Sequence, residues 1–192
     1  AFAMSERPAT DFSAGSMVET GRDLDVAVSG NGWIAVQSPD GSESYVRTGS
    51  LNVDALGVLR AGNGMPVMGN GGPIAVPPEQ KIEVGQDGTI SIRAMGEGPR
   101  VMAEVDRIKL VNPDIKNLTK GLDGSIKTKD GQPAPADANV QVVSGFLESS
   151  NVNAVEEMTA VLALSRQFEL HVKMMNSAKE DDQAMARVLQ IS

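Results

Sequence analysis

The stretch DLDVAVSGNGWIAV, Asp23 to Val36, decides the fold class because two runs rich in small and β-branched residues flank a glycine turn. In the first run, alternate apolar residues from Leu24 to Val28 are predicted to face a core, while Asp25 and Ala27 face solvent. Gly30–Gly32 then supplies a turn, because glycine adopts the positive φ that tight turns require. The pattern predicts two short β-strands.

The same alternation of short strands and turns continues along the chain. Asn-Gly and Asp-Gly dipeptides tolerate the backbone of tight hairpins, and they recur at Asn63–Gly64, Asn70–Gly71, Asp87–Gly88, Asp123–Gly124 and Asp130–Gly131. Further strands are predicted at Tyr45–Arg47, Ser50–Val53, Val58–Arg60, Pro66–Met68, Ile74–Val76, Ile82–Val84, Ile90–Ile92, Arg107–Val111 and Gln141–Val143. About ten short strands with turns every 8 to 12 residues predict a mainly β fold, an antiparallel barrel or sandwich.

The hydrophobic period changes from 2 to 3.6 near Asn153, which can cap a helix while Glu156 reaches back to it. Lys179 and Asp182 interrupt the pattern, so the segment around them is either a less packed part of one helix or a second helix start. A continuous helix to Ile191 would be roughly 57 Å long. The apolar seam of this helix is formed by Met158, Val161, Leu162, Phe168, Val172 and Met175, and it resumes at Leu189.

Three regions are therefore expected: a linker or cut edge over residues 1–21, a β domain over 22–148 and an amphipathic helix over 149–192. Most terminal amphipathic helices lie on their own domain. Here the heptad spacing, the length and the lack of a second helical segment favour an exposed seam that pairs with another helix.

Composition excludes several classes of function. The net charge of −8 and the absence of a Lys/Arg cluster argue against nucleic-acid binding. Without cysteine, and with His171 as the sole histidine, the sequence offers neither a catalytic triad nor a Cys/His metal site, and we expect no metal, cofactor or small-molecule substrate. No apolar run of about 18 residues predicts a membrane span, and no conventional cleaved signal is recognised.

Two other classes of protein stay open on the residues. Asp23 and Asp25 lie on one face of a strand and could bind a cation or do acid–base work, although a solvated strand face is the more ordinary interpretation. A secreted β-rich binding module would need an exposed aromatic groove, for which Trp33 and Tyr45 are the candidates. A hydrolase would need a carboxyl group with a raised pKa in a cleft.

Two long motifs carry a family resemblance. Gly15–Leu59 resembles the opening of the β domain of bacterial flagellar rod and hook proteins, and Gly145–Glu169 resembles the C-terminal signature of that family, with its Leu-Glu-x-Ser-Asn-Val start. The chain is most similar to the proximal-rod members, with distal-rod or hook-type members as the alternative. The matching turn and strand residues of the first motif are Leu24, Asp25, Gly30, Gly32, Trp33, Arg47 and Gly49.

The resemblance implies a structural, non-enzymatic component of the flagellar basal-body rod. Its partners would be other proximal- and distal-rod proteins, copies of itself and the flagellar export apparatus, which delivers subunits to the periplasmic rod without a cleaved signal peptide. Family members transmit torque through a tube that encloses the export channel. They also begin with a helix that pairs with the C-terminal one, and residues 1–21 do not match it, so we expect that helix to be missing.

Overall fold

The computed structural model describes residues 10–94, 102–121 and 124–189. The chain divides into two compact units, one reaching Asn151 and the other starting at Val152. The first unit contains all of the β-strands, and the second is a single long helix. Each unit is described by itself.

Fifteen short strands are present among the described residues. They are β1 (Met17–Glu19), β2 (Asp25–Ser29), β3 (Trp33–Gln37), β4 (Glu43–Val46), β5 (Thr48–Ser50), β6 (Asn52–Val53), β7 (Leu59–Arg60), β8 (Glu79–Val84), β9 (Thr89–Ala94), β10 (Ala103–Arg107), β11 (Leu110–Val111), β12 (Leu118–Lys120), β13 (Ile126–Thr128), β14 (Gln141–Ser144) and β15 (Phe146–Glu148). A short 3-10 helix, Ile115–Asn117, precedes β12.

The strands form five small sheets in which every pairing is antiparallel. The largest has the order β11-β3-β4-β13-β12, two have three strands (β10-β9-β8 and β14-β2-β5), and two are pairs (β1-β15 and β6-β7). No closed barrel forms within the described part of the chain. The predicted mainly β, antiparallel fold is confirmed, as five small sheets rather than a closed barrel.

The predicted turn at Gly30–Gly32 passes the chain from one sheet to another, because β2 and β3 belong to different sheets. Gly30 and Gly32 both have positive φ, 80° and 135°. A Cβ atom on Gly32 would lie 2.5 Å from Cγ1 of Val140. Glycine is therefore favoured at both positions by the backbone conformation, and at Gly32 it is also required for space.

Two clusters of buried apolar side chains make the core of the β unit. The larger joins the inner faces of most sheets and includes Val26, Ile34, Leu51 and Ile90. The smaller lies around Trp33, with Tyr45, Ala35, Val111, Leu118 and Ala134. Burial of about 1.5 to 3 kcal/mol per large side chain drives the packing of such clusters.

The prediction that one face of β2 is exposed to solvent is wrong. Asp25 and Ala27 are buried, as are Val26 and Val28, so both faces of the strand are covered up to Ser29. Val26 and Val28 pack in the larger cluster, while Asp25, which points to the other face, is enclosed by Thr20, Arg22 and Ser50. A strand covered on both faces shows no useful alternation.

Several strand boundaries also differ from the prediction. The predicted strand Ser50–Val53 divides at Leu51, whose N–H donates to the carbonyl of Leu24. The predicted strand Arg107–Val111 is the end of β10 and all of β11, and the segments around Pro66 and Ile74 make only isolated bridges. Sequence reasoning missed β1, β12, β13 and β15, which are three residues long.

The expected linker over residues 1–21 contains β1, so its last part belongs to the β unit. Met17, Val18 and Glu19 pair with Glu148, Leu147 and Phe146 of β15. All three β1 residues are exposed, which explains why no hydrophobic period marked them. Residues 1–9 lie outside the described residues.

The second unit is helix α1, Ala154–Leu189, with 36 residues. The Asn153 carboxamide oxygen accepts the Val155 N–H at 3.1 Å, which confirms Asn153 as the N-cap. The helix is continuous past Lys179 and Asp182, so there is no second helix start. At 1.5 Å per residue its length is about 54 Å. Ile191 lies outside the described residues.

We predict that Ile90→Ala lowers the free energy of unfolding of the β unit by about 2 to 5 kcal/mol, because it opens a cavity in the larger cluster. Ile90 is fully buried, whereas Ile115 is 57% exposed. Urea unfolding followed by circular dichroism measures the difference. The matched control Ile115→Ala should stay within about 0.5 kcal/mol of the parent protein. Equal losses in the two variants would contradict the assigned core.

Candidate assembly site and family

Arg47, between β4 and β5, is bound on several sides in the β unit. Its Nε lies 2.9 Å from both carboxylate oxygens of Glu148, and one terminal nitrogen donates to the Gly32 carbonyl at 3.0 Å. The other terminal nitrogen donates to the Gly30 carbonyl at 2.8 Å. The guanidinium carbon lies 5.4 Å from the ring centroid of Trp33, a cation–π distance. A planar fork with five N–H donors is what allows one side chain to bind all of these groups.

Glu148, at the end of β15, is the counter-charge and has further donors of its own. Its carboxylate also accepts the Gly15 N–H at 2.7 Å, and its backbone N–H donates to the Thr48 hydroxyl at 3.0 Å. The Arg47 and Glu148 side chains are 12% and 7% exposed. A buried ion pair is tolerated when hydrogen bonds satisfy the rest of both groups, as they do here.

Residues 11–19 run alongside residues 146–151, and this contact includes the start of the C-terminal motif. The Ser149 N–H donates to the Ser16 carbonyl at 2.8 Å, and the Asn151 side chain donates to the Ser13 carbonyl at 3.2 Å. A Cβ on Gly15 would lie 1.8 Å from the Ser149 carbonyl oxygen, so only glycine allows this approach. The end of the β unit is thereby fixed to its beginning.

The remaining motif residues of the N-terminal half hold turns and backbone. Gly49 has little room, because a Cβ there would lie 3.3 Å from the Leu51 side chain. Leu24, half-buried just before β2, packs against the larger cluster. The structure thus brings Arg47, Gly30, Gly32 and Trp33 together, whereas Asp25 and Gly49 lie in the sheet of β2 and β5, and Leu24 lies in the turn before it.

Asp25 does not have the properties that a catalytic carboxyl group would need. A hydrogen bond from the Thr20 hydroxyl, helped by Ser50 and by the charge of Arg22, lowers the pKa of Asp25 despite its burial. A general acid or base works best when its pKa lies near the operating pH, so a lowered pKa does not favour that role for Asp25. Asp23 lies in an exposed turn, 3.6 Å from the Lys81 ammonium. The two carboxylates therefore lie in different surroundings, Asp25 buried in β2 and Asp23 exposed beside Lys81.

The two aromatic candidates for a ligand groove are core residues. Trp33 is 4% exposed and Tyr45 is 1% exposed. Phe12 covers Trp33 edge-on, with ring centroids 5.9 Å apart. The Tyr45 hydroxyl accepts the Ala134 N–H at 2.9 Å and donates to Glu43 at 3.0 Å. Neither ring offers a face on which a ligand could stack.

Sequence reasoning did not single out Glu148, Gly15, Asn151 and Phe12. Glu148 and Asn151 are the second and fifth residues of the Leu-Glu-x-Ser-Asn-Val string. The glutamate of that string and Arg47, which stands in the N-terminal motif, were the sequence features that could have indicated the ion pair. Nothing in the sequence indicates that residues 11–16 pair with it.

Within residues 10–94, 102–121 and 124–189, no group of three or more His, Cys, Asp or Glu side chains is placed to hold a metal ion. In the same residues, no helix combines the length and the apolar character needed to cross a bilayer.

Helix α1 presents its predicted seam to the surface. Met158, Val161, Leu162, Phe168 and Met175 are exposed, each by 60% or more. Val172 is half-buried, and the side chain of Leu189 is outside the described residues. His171 is exposed, which agrees with a solvated imidazole.

Leu170 and Met174 are also exposed. Two residues along a helix correspond to about 200° around its axis, so this pair lies opposite Val172. The helix is therefore apolar on two sides.

Sequence comparison assigns both motifs to one family. Residues 27–92 match the family described as "Flagellar hook protein FlgE/F/G D1 domain", and residues 143–188 match "Flagellar basal body rod FlgEFG protein C-terminal". The Escherichia coli (strain K12) "Flagellar basal-body rod protein FlgF" is 41% identical over 191 residues, covering 96% of this chain and 76% of that protein. The chain belongs to the flagellar basal-body rod protein family.

Other relatives agree with this assignment. The protein named FlgF from Caulobacter vibrioides is 34% identical, over 93% of this chain and 71% of that protein. The protein named FlgG from Bacillus subtilis is 30% identical, over 89% of this chain and 67% of that protein. This rod protein is thus a structural component of the flagellar basal body, and it assembles with other axial flagellar proteins.

We predict that Arg47→Ala lowers the free energy of unfolding of this rod protein by about 3 to 5 kcal/mol, because Glu148 would keep a buried charge without its partner. Arg47→Lys should also destabilise the protein, since an ammonium cannot replace the fork that binds two glycine carbonyls. Lys81→Ala is the matched control, because Lys81 is 45% exposed and paired with Glu83. It should cost at most about 1 kcal/mol. Losses no larger than the control's would contradict the assigned role.

We predict that Tyr45, the sole tyrosine, titrates far above its ordinary range. Burial and the nearby Glu43 carboxylate raise the pKa of Tyr45 to about 12. The pKa of Tyr45 in the folded protein exceeds its unfolded value of about 10. The contribution of the neutral Tyr45 side chain to the free energy of unfolding is therefore complete below pH 10 and is lost as pH rises towards 12. Tyrosinate absorbance during alkaline titration, in buffer and in urea, measures both values. Ionisation near pH 10 in the folded protein would contradict this environment.

Proposed function

We propose that this chain builds part of a rigid axial tube in the periplasm, which transmits torque and encloses the channel for exported flagellar subunits. In this proposal the β unit forms an outer layer and helix α1 forms the inner, helical layer. The single observation that carries the proposal is the exposed apolar surface of α1, combined with membership of the rod family.

The seam of α1 is proposed to pair with helices of neighbouring axial subunits. The seam positions 158, 161, 165, 168, 172 and 175 are spaced alternately by three and four residues, which is the spacing of a helix–helix seam, and all but Ser165 are apolar. Leu170 and Met174 supply an apolar surface on the opposite side. Two such surfaces call for partners on two sides, which a helix in a closed layer of subunits would have.

The energetic argument supports a helix that is stabilised by assembly. Most helical stability in proteins comes from packing of an apolar face, and the apolar side chains of α1 are exposed. Burial of six large side chains at about 1.5 to 3 kcal/mol each would offset much of the entropy lost on ordering. The exposed seam is therefore proposed to be unpaired before assembly and buried afterwards.

The remaining parts of the proposal concern delivery and chemistry. The chain is proposed to pass through the flagellar export apparatus without a cleaved signal peptide, and to have no enzymatic activity. The lowered pKa of Asp25 and the burial of Tyr45 support a structural role, because both groups are used within the fold. The higher identity to the relative named FlgF than to that named FlgG favours a place in the proximal rather than the distal rod.

We predict that Phe168→Asp prevents incorporation into the rod, because a carboxylate in the seam would have to be buried without a partner. Swarming motility and electron microscopy of isolated basal bodies would report the loss. The melting temperature of the β unit should not change. Ile115→Asp is the matched control, since it adds the same charge in place of an exposed apolar residue of the β unit, outside the helix. Normal motility with Phe168→Asp would contradict the proposed role of the seam.

A further inference from the structure

Helix α1 carries four methionines, and all of them are exposed. Met158, Met174, Met175 and Met185 have between 59% and 71% of their surface in contact with water. A methionine differs chemically from the other apolar residues of the helix, because its thioether sulfur reacts with peroxides and their hydrocarbon side chains do not. The exposed surface of α1 is therefore also an oxidisable one.

Two of these methionines are seam residues. Met158 and Met175 lie 17 residues apart, which is about 26 Å along the helix axis, and the seam residues Val161, Phe168 and Val172 lie between them. A chemical change at both sulfur atoms would place a polar group on either side of this apolar stretch.

Methionines of the β unit are less accessible to an oxidant. Met65 is half-buried against the larger cluster, and Met68 is half-buried against the smaller one. The Met65 sulfur also accepts a hydrogen bond from the Ser44 hydroxyl at 3.7 Å. Because oxidation follows exposure, the seam methionines of α1 should react before these two.

We propose that Met158 and Met175 form an oxidation-sensitive site that controls whether the seam can pair. The oxidant is a hydroperoxide. The thioether sulfur attacks one peroxide oxygen, the S–O bond forms, the O–O bond breaks, and the other oxygen takes a proton and leaves as water or an alcohol. The sulfur loses two electrons and the peroxide gains them. This inference rests on the proposed function.

The physical effect of the sulfoxide is on burial. Oxidation converts a flexible apolar side chain into a polar one, which disrupts interfaces rich in methionine. A sulfoxide oxygen on the seam would lose its hydrogen bonds to water on assembly, and burial of such a group without a donor is unfavourable. A paired seam would in turn keep the oxidant out. The site is therefore sensitive before assembly and protected after it, so that an oxidised copy is kept out of the rod.

Rates of oxidation test the site itself. The purified chain and isolated rods would be treated with hydrogen peroxide, and the sulfoxide at each methionine measured by peptide mapping with mass spectrometry. In the free chain, Met158 and Met175 should oxidise several-fold faster than Met65 and Met68, and in rods they should be protected several-fold. Equal rates at the four positions in the free chain, or no protection in rods, would overturn the proposal.

Substitutions test the consequence for assembly. Glutamine is uncharged, polar and of similar length, so Met158→Gln combined with Met175→Gln imitates the sulfoxide and should reduce swarming and the yield of basal bodies several-fold. Leucine is apolar and of similar volume, so the corresponding double leucine variant should assemble normally. Met102→Gln, at an exposed methionine of the β unit, is the matched control and should change neither measurement. Normal assembly of the double glutamine variant would overturn the proposal.

Comparison with Phe168→Asp separates this inference from the proposed function. If the double glutamine variant assembles normally while Phe168→Asp still prevents incorporation, the oxidation-sensitive site is wrong and the proposed function stands. If Phe168→Asp also assembles normally, the proposed function fails and this inference fails with it.

Discussion

The ion pair between Arg47 and Glu148 is the contact on which the rest of the β unit depends. It joins two residues 101 positions apart in the chain. Through Arg47 it fixes the glycine turn between two sheets and the ring of Trp33, and through Glu148 it fixes residue 15 and the strand that precedes the helix. The two motifs at opposite ends of the chain are therefore parts of one site. A buried pair of this kind is maintained only if all of its partners are present, which couples the motifs physically.

The β unit and helix α1 differ in whether their apolar side chains are buried. The β unit buries its apolar residues in two clusters and fixes its own beginning to its end, as a unit that is stable by itself requires. The helix exposes apolar side chains on two sides. Water disfavours such a surface, and the natural way to cover it is against other helices. This contrast is what supports the proposal that the β unit folds alone and α1 is covered on assembly.

Local patterns predicted the parts of the fold that local chemistry determines. Glycines with positive φ marked the turns at Gly30–Gly32, and Asn153 marked the start of the helix, because these features depend on neighbouring residues only. Pairing between distant segments could not be predicted. β1 carries no hydrophobic period because its residues are exposed, and its position depends on pairing with β15, 127 to 131 residues further along the chain. Both faces of β2 are covered by other parts of the fold, so the alternation of apolar and polar residues gave a wrong prediction of its exposed face.

At the site, Arg47 and Trp33 were identified from the family motif, but that they contact Glu148 and Phe12 is seen only in the structure.

Backbone hydrogen exchange read by mass spectrometry tests the central claim most directly, which is that the β unit is stable alone while helix α1 is stabilised by assembly. Exchange would be compared between the chain at low concentration, shown to be monomeric by sedimentation, and the same chain in isolated rods. The account predicts slow exchange in β2 and β3 in both samples, and fast exchange over residues 154–189 in the monomer that becomes slow in the rod. Equally slow exchange of the helix and the strands in the monomer would contradict it.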